Sequence, residues 1–424
     1  MNVCVYGLWH LGSVTAACLA QAGWNVIGLD ESAEVIRHLS EGRAPLMEPG
    51  LNELLSEGIA AGRLRFTTDA SSAVKGASVV WVTFDTPVSQ EDVADVDYVV
   101  SRLHALLPTM DSGALVIVSS QLPVGSIRKL EQLSGRADLS FACLPENLRL
   151  GKAIDVFNNP DRVIAGVRSE KDRERIASLL APITSRIEWM TVESAEMTKH
   201  AINAFLATSV TFINEIATIC EDVGADAKEV ERGLKSESRI GPKAYLSPGA
   251  AFAGGTLARD IAFLTELGER AGSRPALIAS VRVSNETHKG WARRKLQALF
   301  GDLKGRTVGV WGLTYKAGTD TLRRSSAIEL CRWLHEQGVI VIAHDPAVTS
   351  LPDDLVAAIN LRRSPLEAAS HVDALVVATE WPLYRDVSLD ALADLVVLDP
   401  NRFLKAPLKG NPKIRYVTIG KGAS

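Results

Sequence analysis

The stretch that most narrows the fold is the first thirty residues, MNVCVYGLWHLGSVTAACLAQAGWNVIGLD. NVCVY is a short apolar run, GLWHLG a tight turn, SVTAACLAQAG a helical pattern ended by Gly23, and NVIGLD a strand closed by Asp30. Strand, glycine turn, helix, strand and acid within about 30 residues make one βαβ unit. In a G-x-G-x-x-G loop the first glycine makes the turn, the middle one lets backbone approach a pyrophosphate, and the third lets helix and strand pack closely. Gly7 and Gly12 hold the first and third places, while Trp9 stands in the middle one. The helix start still offers unpaired N–H groups and a positive dipole end to a phosphate. Asp30, 18 residues past Gly12, is placed to accept hydrogen bonds from ribose hydroxyls and to repel a 2′-phosphate, which favours NAD over NADP. Two readings stay open at this point. One is an NAD loop in which Trp9, His10 and Leu11 lie along the cofactor; the other is a βαβ unit that binds nothing and uses Trp9 for packing.

The alternation continues. Strands are expected in ASVVWVTF (77–84), ALVIVSS (114–120), SFACLP (140–145) and DRVIAGV (161–167), with helical stretches between most of them, which argues for a parallel doubly wound sheet. From 192 to 223 the pattern becomes one long helix, with Met197, Ala201, Ala204, Phe205, Thr208, Phe212, Ile216 and Ile219 at three- and four-residue steps, read as a buried stripe. A second α/β unit begins at GRTVGVWGLTYKAGTD, with strands TVGVWG, VIVIAHD, ALVVAT and LVVLD and a first helix, SSAIELCRWLHEQG, ended by Gly338.

Bulk properties exclude several classes. A formal net charge of -4 gives no reason to expect nucleic acid or an acidic membrane surface as partner. No uninterrupted run approaches the roughly 18 apolar residues of a membrane span, and the N-terminus enters a strand without a secretory leader pattern. Cys4, Cys18, Cys143, Cys220 and Cys331 lie far apart and never in C-x-x-C spacing, so they read as reduced core residues of a cytoplasmic protein, with no metal site expected.

The middle of the chain carries a resemblance. Lys199 and Asn203 stand four apart on the long helix, on the side read as away from the stripe, and SRIGPKAYLSPGAAFAGGTLARD follows. Together with MEPGL (47–51), DTP (85–87) and TEW (379–381), in this order, the chain resembles the nucleotide-sugar 6-dehydrogenases that act on UDP-glucose, UDP-N-acetylhexosamines and GDP-mannose. The resemblance spans essentially the whole chain. It implies an α/β protein of two Rossmann-like doubly wound parallel-sheet domains joined by a long central helix. Residues 1–190 would bind NAD, 191–300 would form a helical dimerisation segment, and 301–424 would bind the nucleotide (UDP) of the sugar substrate.

By the same resemblance, Lys199 polarises the C6 oxygen, Asn203 is its helix partner, Asp260 helps hold the lysine and a water, and Glu146 of LPENLRLG matches the first glutamate of that family loop, among both the catalytic and the substrate positions. Thr86 and Gln121 fall among the cofactor positions. Leu148, Arg239, Tyr245, Leu246, Gly254, Lys316 and Arg402 fall among the substrate positions, Arg239 reaching across a homodimer. A cation and an amide donor suit a substrate oxygen that gains charge.

The departures concern a second oxidation. Thr256 stands where the family carries a cysteine nucleophile, and a threonine hydroxyl has no accessible anion near neutral pH. Leu150 replaces a glutamate, Gln121 a threonine and Arg259 a lysine of the family pattern. Three readings follow: a dehydrogenase that performs one oxidation and releases an aldehyde or ketone; a full four-electron dehydrogenase that oxidises a hydrated aldehyde, with Glu146 as base; or a non-catalytic nucleotide-sugar binder.

Overall fold

The computed structural model describes residues 1–87, 94–146, 148–253, 255–388, 395–404, 408 and 411–422, so Gly254 lies outside the described residues. Backbone contacts divide the chain into two compact units, Met1–Ile202 and Asn203–Ser424.

The first unit is built on eight strands: β1 (Asn2–Tyr6), β2 (Asn25–Leu29), β3 (Leu64–Thr67), β4 (Val79–Val82), β5 (Leu115–Val118), β6 (Ser140–Cys143), β7 (Val163–Gly166) and β8 (Ile187–Met190). Their order is β3-β2-β1-β4-β5-β6-β7-β8, and apolar clusters cover both faces. Every pair is parallel except β6 with β7, which meet through Cys143 and Gly166. Because β7 runs back from the end where β6 stops, residues 144–162 need not cross the sheet. That is the end where α/β sheets bind ligands.

The second unit carries a six-stranded, all-parallel sheet of β9 (Thr307–Trp311), β10 (Ile340–His344), β11 (Asn360–Leu361), β12 (Ala374–Val377), β13 (Leu395–Leu398) and β14 (Ile414–Val417). Its order is β11-β10-β9-β12-β13-β14. In both sheets the strand order reverses beside the first strand, between β1 and β4 and between β9 and β12, which marks the crevice where such sheets bind ligands.

One helix spans Val192–Val223. Thr191 Oγ1 accepts the Ser194 N–H at its start, and Gly224, at φ 75°, ends it. Its stripe departs from expectation. Ala204 is buried, but Met197, Phe205, Phe212 and Ile219 are exposed, Phe205 at 70%. The side turned into the protein instead carries small and polar residues, among them Glu196, His200, Asn203, Ala207, Asn214 and Ala217. Periodicity identifies an apolar face without saying what covers it. The helix also has the length and mean hydropathy, 1.3 over 18 residues, to cross a membrane. No uninterrupted apolar run marks it in the sequence, because scattered polar residues break a run while barely lowering a mean.

Candidate active site

After β1 the chain turns through Gly7 at φ 93°, where a Cβ would lie 2.7 Å from the Phe84 ring. A Cβ on Gly12 would lie 1.8 Å from the Gly7 carbonyl oxygen, so helix His10–Gln21 abuts the turn at a distance only glycine permits. Trp9 caps this helix at φ −78°, which any residue adopts, so the backbone does not need a middle glycine. Its indole is 48% exposed, so core packing does not explain it. The first helical bond runs from Ser13 N to the Trp9 carbonyl at 2.9 Å, which leaves the N–H groups of His10, Leu11 and Gly12 at the helix start.

Asp30 accepts the Leu8 N–H at 2.8 Å and the Ser32 N–H at 2.9 Å, with carboxylate lone pairs left for a ribose. Thr86 Oγ1 donates to the Gln121 carbonyl at 2.8 Å, which joins the segments after β4 and β5. His10 contributes more than its place in the loop. Its Nε2 lies 2.8 Å from Glu48, whose buried carboxylate also accepts the N–H groups of Gly151 and Ala153 at 2.8 and 2.9 Å. Glu48 thus ties the glycine loop to the segment after Leu150.

The N-terminal part of the long helix docks on the first unit through polar groups. Glu196 accepts the N–H groups of Gly125 and Ile127 at 2.7 and 3.0 Å, capping helix Ser126–Ser134. His200 bonds the Leu122 carbonyl at 2.9 Å. Lys199 Nζ donates to the Glu146 carbonyl at 2.7 Å, which brings two predicted catalytic residues together. Leu148 packs, partly buried, against the sheet core.

In the second unit Asn203 Nδ2 donates to Asp260 Oδ2, and both residues are buried. Asp260 lies one turn along helix Thr256–Arg270, which Thr256 opens as an exposed residue after Gly255 at φ 113°. All five cysteines are free and buried. Burial pushes the thiols of Cys4, Cys18 and Cys331 up to about 12 and raises those of Cys143 and Cys220. No cysteine of the chain is therefore exposed as a thiolate nucleophile.

A cavity of about 440 Å³ opens in this unit at the C-terminal ends of β9, β12 and β13. Lys316, Lys289, Ser325, Ser326, Glu380 and Asn401 line it, and Ser325 caps helix Ser326–Glu336. Lys316 and the helix start suit an anion, while Lys289 pairs with Glu286 at 2.9 Å. Among the predicted substrate residues Lys316 lines this cavity, while Arg239, Tyr245, Leu246 and Arg402 do not. Arg239 and Tyr245 are exposed, Arg239 pairing with Glu237 at 3.0 Å, and Leu246 is partly buried. Arg402 is held at φ 58° in a two-pronged pair with Asp226, at 2.7 and 3.0 Å, and its side chain is 6% exposed.

Family models match the chain in three consecutive segments of the UDP-glucose/GDP-mannose dehydrogenase family: the NAD binding domain over 1–184, the central domain over 193–287 and the UDP binding domain over 309–406. The chain belongs to this family. It is 32% identical to the UDP-glucose 6-dehydrogenase of Rhizobium meliloti, over 99% of this chain and 100% of that protein. It is 34% identical to that of Pseudomonas aeruginosa, over 91% and 89%. Among solved structures, a UDP-glucose dehydrogenase from Pyrobaculum islandicum matches with TM-score 0.87 at 29% identity, over 99% of this chain and 98% of that one. A UDP-D-ManNAc dehydrogenase from Pyrococcus horikoshii matches with TM-score 0.84 at 27% identity, over the full length of both.

The members of this family are NAD-dependent nucleotide-sugar dehydrogenases, and the first unit fits NAD by its own geometry. Gly7 and Gly12 let helix His10–Gln21 start hard against the turn after β1, the first N–H groups of that helix lie there, and Asp30 stands at the end of β2. Sequence reasoning did not single out Glu48, Lys289, Ser325, Ser326, Glu380 or Asn401. One usable signal was the repetition of VYGL (5–8) as VWGL (310–313), which places a second ligand loop after β9.

Two expectations follow. Arg402→Met, which removes one partner of a largely buried ion pair, should cost about 3 kcal/mol of stability. It should leave the KM for the nucleotide sugar within about twofold, since losing a charged substrate contact would shift it about tenfold or more. A raised KM with an unchanged denaturation midpoint would return Arg402 to the substrate. His288, which donates to the Gly249 carbonyl at 2.9 Å, has its pKa pushed below the ordinary 6.5 by burial. Below pH 6.5 the unfolded chain therefore binds more protons than the folded one, and stability falls with pH. His288→Gln should flatten that fall in urea titrations taken at successive pH values; an unchanged slope would show that His288 does not contribute.

Proposed function

We propose that this chain oxidises a nucleotide sugar of the UDP-hexose type at its C6 alcohol in a single two-electron step, releasing an aldehyde. The observation that carries the reading is the absence of an available thiol: Thr256 occupies the exposed first position of helix Thr256–Arg270, and every cysteine is buried. Bound NAD supplies the hydride acceptor. Lys199, steadied by the Glu146 carbonyl, is the cation that stabilises the negative charge growing on the substrate oxygen. Asn203 and Asp260 form a buried, hydrogen-bonded pair in the second unit. The Lys289, Lys316 and Ser325–Ser326 cavity holds the nucleotide diphosphate.

The second reading, a four-electron oxidation through the hydrated aldehyde, is favoured by the relatives' names, since they are 6-dehydrogenases. Incubation with NAD and UDP-glucose, UDP-N-acetylglucosamine or GDP-mannose separates the two by product mass. One NADH per sugar and a product lighter by two hydrogens are expected; two NADH and an acid would overturn the single step. Lys199→Ala should lower kcat about a hundredfold or more. A chain that takes up no NAD in a titration would be a non-catalytic binder.

The functional form is a homodimer paired through the long helix. Met197, Phe205, Phe212, Ile219 and Val223 leave an apolar face exposed, and a monomer seldom carries such a patch without a partner. Sedimentation should show a dimer that Phe205→Glu dissociates, and a wild-type monomer at micromolar concentration would refute the assignment.

A further inference from the structure

The cavity of the second unit contains one residue whose charge opposes its other lining groups. Glu380 lines it together with Lys289, Lys316 and the start of helix Ser326–Glu336. A carboxylate beside a diphosphate would repel it, so Glu380 must serve another part of the ligand. Its neighbours fix its aim. Thr379 Oγ1 donates to the Thr314 carbonyl at 2.7 Å, and Trp381 Nε1 donates to Thr314 Oγ1 at 3.3 Å as well as to Asp345 at 3.1 Å. Both flanks of TEW are therefore anchored to the segment after β9, and the residue between them is presented to the cavity. Asn401 accepts the Ala250 N–H on its Oδ1 at 2.7 Å, which turns its amide N–H groups toward the Glu380 carboxylate. The acid is oriented by one donor and has acceptor capacity left over.

A comparison of the two units sharpens the assignment. In the first unit, Asp30 at the end of β2 bonds the glycine turn and keeps lone pairs for a ribose. Asp345 holds the same place at the end of β10, but it is 3% exposed and fully engaged. Its Oδ2 accepts from Leu313 N, Thr314 N, Thr314 Oγ1 and Trp381 Nε1, and its Oδ1 from Ala347 N. The residue that reads nucleoside donors in such a fold is here closed off, and Glu380 is the acidic group left facing the cavity.

We propose that Glu380, oriented by Asn401, accepts a hydrogen bond from a donor on the nucleoside half of the substrate, either a ribose hydroxyl or the imide N–H of the base. The inference rests on the reading that this cavity holds the nucleotide. Burial raises the Glu380 pKa, the Asn401 hydrogen bond opposing it, and a ligand donor would offset the same desolvation. An unpaired buried acceptor is unfavourable, so a ligand that lacks the matching donor is discriminated against.

Calorimetric titration of the full chain with UDP, 2′-deoxy-UDP, 3′-deoxy-UDP and N3-methyl-UDP tests this. Glu380→Ala should bind UDP roughly tenfold or more weakly, and Glu380→Gln by an intermediate factor. Wild type should lose a similar factor with the analogue that lacks the donor, a deoxy form if it is the ribose and the methylated form if it is the base. Glu380→Ala should no longer distinguish that analogue from UDP. Wild-type affinity for UDP in both variants, or undiminished discrimination among the analogues, would overturn the assignment. If the alanine variant fails to fold, the glutamine variant decides on the same criteria. Wild-type protein that does not bind UDP would instead refute the nucleotide reading of the cavity.

Discussion

Both units depend on the same tie, an acid at the end of the second strand that catches the glycine turn at the end of the first. Asp30 accepts the Leu8 N–H and Asp345 the Leu313 N–H, at 2.8 and 2.7 Å. Each turn passes through a glycine in the left-handed region, Gly7 at φ 93° and Gly312 at φ 89°, and each sits at a strand-order reversal. Without the acid, a buried turn N–H would lose its partner at the point where ligand and backbone approach. The repeat VYGL and VWGL is the sequence trace of this arrangement. The units then diverge: the first keeps its acid partly open for a ribose, while the second uses its acid to lock the Thr314 and Trp381 segments.

The same economy of carboxylates recurs around the first loop. Glu48 satisfies an imidazole and two backbone N–H groups at once, joining His10 to Gly151 and Ala153. A buried acid is tolerable here because donors surround it. The consequence is mechanical: the cofactor loop and the loop that follows Glu146 share one anchor, so a shift in either is felt by the other. Trp9 lies outside that anchor, and the residue is about half exposed.

Much of this fold was legible in the sequence where the signal was a run. The apolar strands β1, β2, β4–β7, β9, β10, β12 and β13 stand out because both their faces are buried. The strands β3 (LRFT), β8 (IEWM) and β14 (IRYV) were silent: each is four residues long and mixes polar with apolar, too short to separate from a loop. The site divided in the same way. Gly7, Gly12 and Asp30 announce themselves because backbone geometry restricts the residue type. Arg402 does not, since a guanidinium serves equally in a substrate contact or in a structural pair with Asp226, and only distance tells which. The stripe of the long helix failed for a related reason: a periodic face requires a covering surface, and sequence does not say which chain provides it.

Thr256 brings these constraints to the chemistry. The first turn of a helix, with its unpaired N–H groups, is where a thiolate would be stabilised and made reactive. Thr256 occupies that position and is exposed, but its hydroxyl has no ionised form for the helix field to stabilise. What the field can still favour is a hydrogen-bonded water or carbonyl oxygen. Lys199 keeps its anchor on the Glu146 carbonyl, and Asn203 keeps its bond to Asp260. The proposed removal of one hydride rather than two rests on the Thr256 hydroxyl. A four-electron route would have to hydrate the aldehyde and take the second proton with a general base alone.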